Sequence, residues 1–247
     1  MAHWFEWWMT PLSGAIGHHL AGPLAWHGRL MVLGWGLAIP LAMLIARFFK
    51  VTRKQRWPQE LDNTFWWHGH RSLVLAAVVA TLSALASVCL WAPAAPPRLA
   101  ASWHALLGWC VVGLLALQVL SGLLRGSKGG PTAPRRAPDG QELDLHGDHY
   151  DMTPRRYLFE RVHKLAGYLV LLVAWAAMFS GLWLADAPRW MPAALVLAGF
   201  VFVLAFVRWQ RAGRCVDTYQ AIWGPDLAHP GNSMKVTGWG VRRMRGG

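Results

Sequence analysis

Four histidines of this chain lie inside long apolar stretches, each near the start of its stretch: His27, His70, His104 and His163. An ionisable ring in such surroundings is costly and usually has a function. Neutral imidazole is a good axial ligand for haem iron. Four such rings on four apolar stretches suggest two bis-histidine haems inside a helix bundle, with electron transfer as the chemistry. A single histidine near a helix end is more simply an interfacial residue; four that pair by depth outweigh that alternative.

Haem ligation on facing helices also needs little bulk beside the ligand. His104 is followed by Gly108 and His163 by Gly167, both at i+4 on the ligand's own helical face. The two stretches share a longer pattern, with Ser121-Gly122-Leu123 and Ser180-Gly181-Leu182 at equal offsets from their histidines. Gly122 and Gly181 each follow their histidine by 18 residues, five turns at about 3.6 residues per turn, so each returns to the histidine's face. An inverted internal repeat follows, in which each helix ligates one haem and makes room for the other. Ordinary small-residue helix packing is the competing account of these glycines.

The elements that must position these residues are five apolar spans, roughly 24–49, 65–92, 103–125, 158–185 and 190–208. Each is near the ~20 residues needed to cross hydrocarbon. Lys and Arg cluster around the loops 50–64 and 126–157 and in residues 209–247, while the remaining loops carry only Arg98 and Arg189. The positive-inside rule then puts the segment before the first span outside and the segment after the last span in the cytoplasm, across a bacterial inner membrane. His27 and His104 share the outer level on this topology, and His70 and His163 the inner one. About 14 residues of helix separate the levels, so the irons would lie ~20 Å apart along the membrane normal. On the second span His70, deeper than His68, is the preferred ligand. The remaining histidines, His3, His18, His19, His146, His149 and His229, lie outside the spans, and only the His146–His149 spacing suggests weak metal binding.

Arg29, Arg71 and Lys164 stand beside or close to His27, His70 and His163, where cations would pair with haem propionates. For Arg71 and Lys164, snorkelling to lipid headgroups is an equal alternative. Arg47, Lys50 and Arg53 are candidates to attract an anionic donor to the inner face, against the simpler account that they only set the topology.

Composition agrees with a membrane setting. The chain is 55% hydrophobic with only 15% charged residues, and it carries 17 tryptophans. The net charge of +12 does not indicate nucleic acid, because the bases flank apolar spans as lipid headgroups and topology require. No CxxCH occurs, so covalent c-type haem is excluded, and Cys89, Cys110 and Cys215 form no CxxC pair. The expected fold is an all-α integral membrane protein: a four-helix dihaem core, a fifth transmembrane helix and an N-terminal interfacial segment. Its divisions are a Trp-rich interfacial segment (1–23), a five-span dihaem cytochrome b domain (24–208) and a basic cytoplasmic tail (209–247).

These residues resemble the cytochrome b561 family, above all the membrane domain that in eukaryotes is often fused behind a DOMON domain. His27-Gly28-Arg29-Leu30-Met31 through Trp35-Gly36, Pro40 and Ala46-Arg47 looks like that family's first ligand helix. Trp66-Trp67-His68-Gly69-His70-Arg71 is similar to its second, with the ligand on His70. His104 to Gly108 with Gln118 and Gly122 resembles its third, and Arg156 through His163 to Gly167 its fourth. The match covers about 25–185. The chain departs from eukaryotic members in having the short Trp-rich segment where they have a span before the first ligand helix, and it is expected to be a stand-alone bacterial form.

The resemblance implies two b-type haems, an outer one on His27/His104 and an inner one on His70/His163. It also implies transmembrane electron transfer, with an ascorbate-like cytoplasmic donor and an outer acceptor such as ferric iron or monodehydroascorbate. Expected partners are membrane lipid and a protein redox partner or larger membrane complex. Two alternatives remain: a quinone-reactive cytochrome b subunit of a membrane dehydrogenase, hydrogenase or respiratory or photosynthetic complex, and a haem-containing structural subunit of a larger assembly.

Overall fold

A computed structural model describes residues 2–15, 19–92, 99–130 and 146–244. All the regular elements among the described residues are helical. They are α1 (Ala2–Met9), α2 (Gly22–Met31), a π-helical stretch (Val32–Ala38), α3 (Ile39–Phe48), α4 (Phe65–Trp91), α5 (Leu99–Leu123), α6 (Pro154–Leu184), α7 (Trp190–Arg211), α8 (Thr218–Trp223) and α9 (Pro230–Ser233).

Gly22–Phe48, comprising α2, the π stretch and α3, forms one continuous apolar helix. With α4, Ala101–Leu123, α6 and α7 it makes, among the described residues, five helices long and apolar enough to cross a membrane. Leu75, Leu82, Leu117, Leu165, Leu172, Phe200 and Val201 project outward from these helices, and lipid rather than protein is the natural cover for such faces. Helix α6 begins four residues before its expected start because Pro154 takes the first position, where no backbone N–H is required, and Thr153 Oγ1 accepts the Arg156 amide at 3.3 Å.

The chain divides into two compact units. The first comprises Met1–Met43, His70–Leu115 and Leu169–Val207. Its core holds Trp35, Ile39, Ala77, Val111, Leu115, Val170, Leu171, Ala174, Met178 and Leu195. Trp35, fully buried, donates its indole N–H to Thr81 Oγ1 at 3.1 Å. The segment after α1 is tied to the α6–α7 turn: Ser13 donates its amide and hydroxyl to the Asp186 carboxylate at 2.8 and 2.6 Å, and Pro11 bridges to Pro188. Arg189 lies over the Trp7 ring. The Trp-rich helix is thus fixed to the ends of two spans.

The second unit comprises Leu44–Gly69, Ala116–Tyr168 and Arg208–Gly247. Its core is Met152, Tyr219, Ile222 and Trp223, packed on Trp66, Tyr150 and Tyr157. The residues after the last span, expected as a polar tail, are here a folded piece. Every residue of α8 is buried; Asp217 caps it and in turn accepts from Arg243 at 2.9 Å. Tyr219 donates its hydroxyl to Tyr150 O at 2.9 Å. Of the 126–157 loop, residues 131–145 lie outside the described residues.

Candidate functional site

His27 stands on α2 with its Nδ1 3.1 Å from the Ala84 carbonyl of α4. His70 stands on α4 with its Nδ1 3.2 Å from the Ala42 carbonyl of α3. On α5, His104 Nδ1 lies 3.1 Å from both the Ala177 carbonyl and Ser180 Oγ of α6. On α6, His163 Nδ1 lies 3.0 Å from Ser121 Oγ of α5. A carbonyl oxygen only accepts, so His27, His70 and His104 carry their proton on Nδ1 and their lone pair on Nε2. Ser121 Oγ also lies 2.9 Å from Gln118 O; with the hydroxyl donated there, its oxygen accepts from His163 Nδ1 and the same tautomer results. A bond from one ring nitrogen fixing the tautomer and orienting the other is the usual support of a metal-ligating histidine.

The His27 and His104 rings meet edge-on, with centroids 6.1 Å apart and planes at 80°. A metal–imidazole nitrogen bond is about 2 Å, so an ion held between two such nitrogens sets the ring centres about 6 Å apart. The spacing of this pair therefore fits a bis-histidine iron. His70 lies in the first unit and His163 in the second. His68, two residues before His70, is exposed.

The four glycines fall into two kinds. A methyl group on Gly108 or Gly122 would meet nothing within 4 Å, as a backbone left bare for a flat ligand requires. One on Gly181 would lie 2.8 Å from His104 Cε1, and one on Gly167 would lie 3.2 Å from Gln118 Nε2. Gly181 thus makes room for the imidazole of His104 itself.

Among the cations, Arg29 is exposed and lies over the Trp26 ring, with its guanidinium carbon 5.3 Å from the centroid. Arg71 is also exposed. Lys164 Nζ donates to Glu160 Oε2 at 2.8 Å and to Thr237 O and Oγ1 at 3.0 and 2.9 Å. Arg47 and Lys50 are likewise engaged: Arg47 with Tyr168, Gln210 and Trp239 O, and buried Lys50 with Val216 O at 3.2 Å. Burial, with Lys164 nearby, lowers Lys50 to about 8. Arg53 is left exposed.

Of the other histidines, His146 is exposed against Asp151 at 3.2 Å, whereas His149 is buried beside Tyr219 and Trp223. Burial first, then the Arg156 cation, depress His149 to about 3, so its ring is neutral. His18 lies outside the described residues.

The sequence motifs include Ser121, Ser180 and Gln118 but assign them no role; in the structure the Gln118 side chain donates to His163 O at 2.9 Å. The repeated Ser-Gly-Leu was the available signal, but only its glycines drew attention.

Residues 26–130 match the family model described as eukaryotic cytochrome b561. The chain belongs to the cytochrome b561 family. Ferric-chelate reductase 1 of Bos taurus is 32% identical over 171 residues, which cover 67% of this chain and 23% of the relative. The Homo sapiens protein of the same name is 28% identical over 67% of this chain and 24% of its own length. The Mus musculus protein is 28% identical over 70% and 25%. This cytochrome b561 chain spans about a quarter of the length of the curated relatives it matches. No solved structure matches it significantly. With its five apolar helices, this cytochrome b561 is an integral membrane protein. The family binds haem b and uses it to move electrons across membranes.

Proposed function

We propose that this b561 domain carries electrons across the membrane through two b haems, one held by His27 and His104 and the other by His70 and His163. Haem supplies the one-electron redox chemistry, and the chain supplies ligands, orientation and a water-poor surround. The observation that carries the reading is that in all four histidines Nδ1 lies within hydrogen-bond distance of an oxygen of a neighbouring helix, an arrangement suited to ligation through Nε2. The 6.1 Å spacing of the His27 and His104 rings supports the first pair. The second pair rests on the shared depth of His70 and His163 in the sequence.

Gly108 and Gly122 leave backbone bare beside the ligands, and Arg29 and Arg71, both exposed, are the cations assigned to the propionates. The lysine-rich and arginine-rich loops face the cytoplasm, so electrons enter from a cytoplasmic donor at the His70/His163 level and leave at the His27/His104 level. The relatives named ferric-chelate reductase 1 favour a ferric chelate as the acceptor. Lipid covers the outward faces of the spans.

A reduced-minus-oxidised spectrum with pyridine haemochrome quantitation tests the reading. Two b haems per chain are expected. His104→Ala should remove one haem and leave the other spectrally intact. A chain that binds no haem, or a folded His104→Ala variant that loses both haems or neither, overturns the assignment.

A further inference from the structure

Helices α5 and α6 each carry a ligand histidine and, 17 residues later, a serine that reaches the other helix's histidine: Ser121 to His163 and Ser180 to His104. We propose that Ser121 is a positioning residue that sets the electron-donating strength of His163, and thereby the midpoint potential of the haem that His163 holds. The inference rests on the ligand assignment above and adds a determinant of potential to it.

The direction of the hydrogen bond decides the sign. Ser121 donates its own proton to the Gln118 carbonyl one turn earlier, at 2.9 Å, a common habit of helical serine. With that proton given to Gln118, the serine oxygen accepts from the ring, and Nδ1–H of His163, 3.0 Å away, is assigned as the donor. A ring that shares its Nδ1 proton is more basic at Nε2. A more basic axial ligand favours ferric over ferrous iron and lowers the potential. Gln118 completes the arrangement by donating to the His163 carbonyl at 2.9 Å, which steadies the backbone that bears the ring. Two residues one turn apart on α5 thus grip His163 at its ring and at its backbone.

Ser180 repeats the geometry at His104. It donates to the Ala177 carbonyl at 2.9 Å and accepts from Nδ1 at 3.1 Å. There the ring proton also lies 3.1 Å from Ala177 O, so a main-chain acceptor stays in place without the serine. Ser121 is therefore the side chain on which to test the idea.

The test is a potentiometric titration of the haem α band in the full-length protein, with haem content measured in parallel. Ser121→Ala should keep two haems and move one of the two waves to higher potential. Ser121→Thr, which restores the hydroxyl, should bring that wave back. Ser121→Cys, similar in size but a weaker acceptor, should move it the same way by less, and serves if the alanine variant does not hold its haems. Ser180→Ala should leave that particular wave where it is. Two haems with neither Ser121→Ala nor Ser121→Cys moving a wave would overturn the proposal, as would a wave that Ser121→Ala and Ser180→Ala shift alike. A wild-type protein without two haems would instead defeat the ligand assignment and not the hydrogen-bond argument.

Discussion

At the four histidines proposed as ligands, what surrounds Nδ1 matters most. In each of the four rings Nδ1 is committed to an oxygen on another helix, and rings fixed this way need no further ordering to meet iron. Gly181 shows how tight that ordering is. A methyl group there would lie 2.8 Å from His104 Cε1, so Gly181→Ala should displace the ring and alter the spectrum of one haem only, read in the reduced-minus-oxidised spectrum. Gly108→Ala should behave differently. Its methyl group meets nothing within 4 Å, so the variant should fold and insert normally but take up less haem, measured as haem per polypeptide. At His149 the issue is protonation. Burial, reinforced by Arg156, holds its ring at about 3, below the usual 6.5, so below pH 6.5 the unfolded chain binds a proton that the folded chain refuses. Stability should fall as pH drops from about 6.5 toward 3, and be insensitive to this group above 6.5. Thermal melting in detergent across that range should show a shallower decline for His149→Phe than for the native chain.

At the scale of elements, the first span is the informative one. Its π stretch, Val32–Ala38, separates two contacts with α4: His27 with Ala84 O on one side and Ala42 O with His70 on the other. Trp35 adds a third at Thr81. A helix turns ~100° per residue, and a π turn holds an extra residue, so it resets the face that the rest of the helix presents. Deleting one residue within 32–38 should therefore swing one contact off α4 and cost at least one haem, whereas Leu37→Ala, at an exposed position, should keep both. Trp35→Phe removes one buried hydrogen bond and should cost about 1 kcal/mol of stability, measurable by thermal denaturation in detergent.

The spans themselves were legible in the sequence because each needs only length and apolarity, and the five ranges differ from the helices by a few residues. The π stretch was not, because an extra residue in a turn leaves no mark in an all-apolar pattern. The partners of the histidines were only half legible. The Ser-Gly-Leu repeat stood out at equal offsets, yet which atom Ser121 meets depends on how two helices pack.

The whole molecule is less a bundle with a loose tail than two units, the second completed from three distant stretches of sequence. That unit was illegible for this reason. Lys50 to Val216 O, Tyr219 to Tyr150 O, and Glu160 to Thr237 and Lys164 are partners that no local periodicity announces. Tyr219 is almost wholly enclosed, so Tyr219→Ala should cost ~3–5 kcal/mol, as large-to-small aromatic changes do in cores, seen as a lower melting temperature. A fluorescent protein fused after residue 244 should be bright and one fused before α1 dark in a bacterial host, if the basic loops face the cytoplasm.

Residues 215–244 leave the ribosome only after all five spans have been made. Until then Lys50 lacks the Val216 carbonyl and Glu160, though already paired with Arg156 and Lys164 on its own helix, lacks Thr237. Ribosome-stalled or prematurely stopped chains would display that unfinished patch, a ready handle for proteases that survey newly inserted proteins.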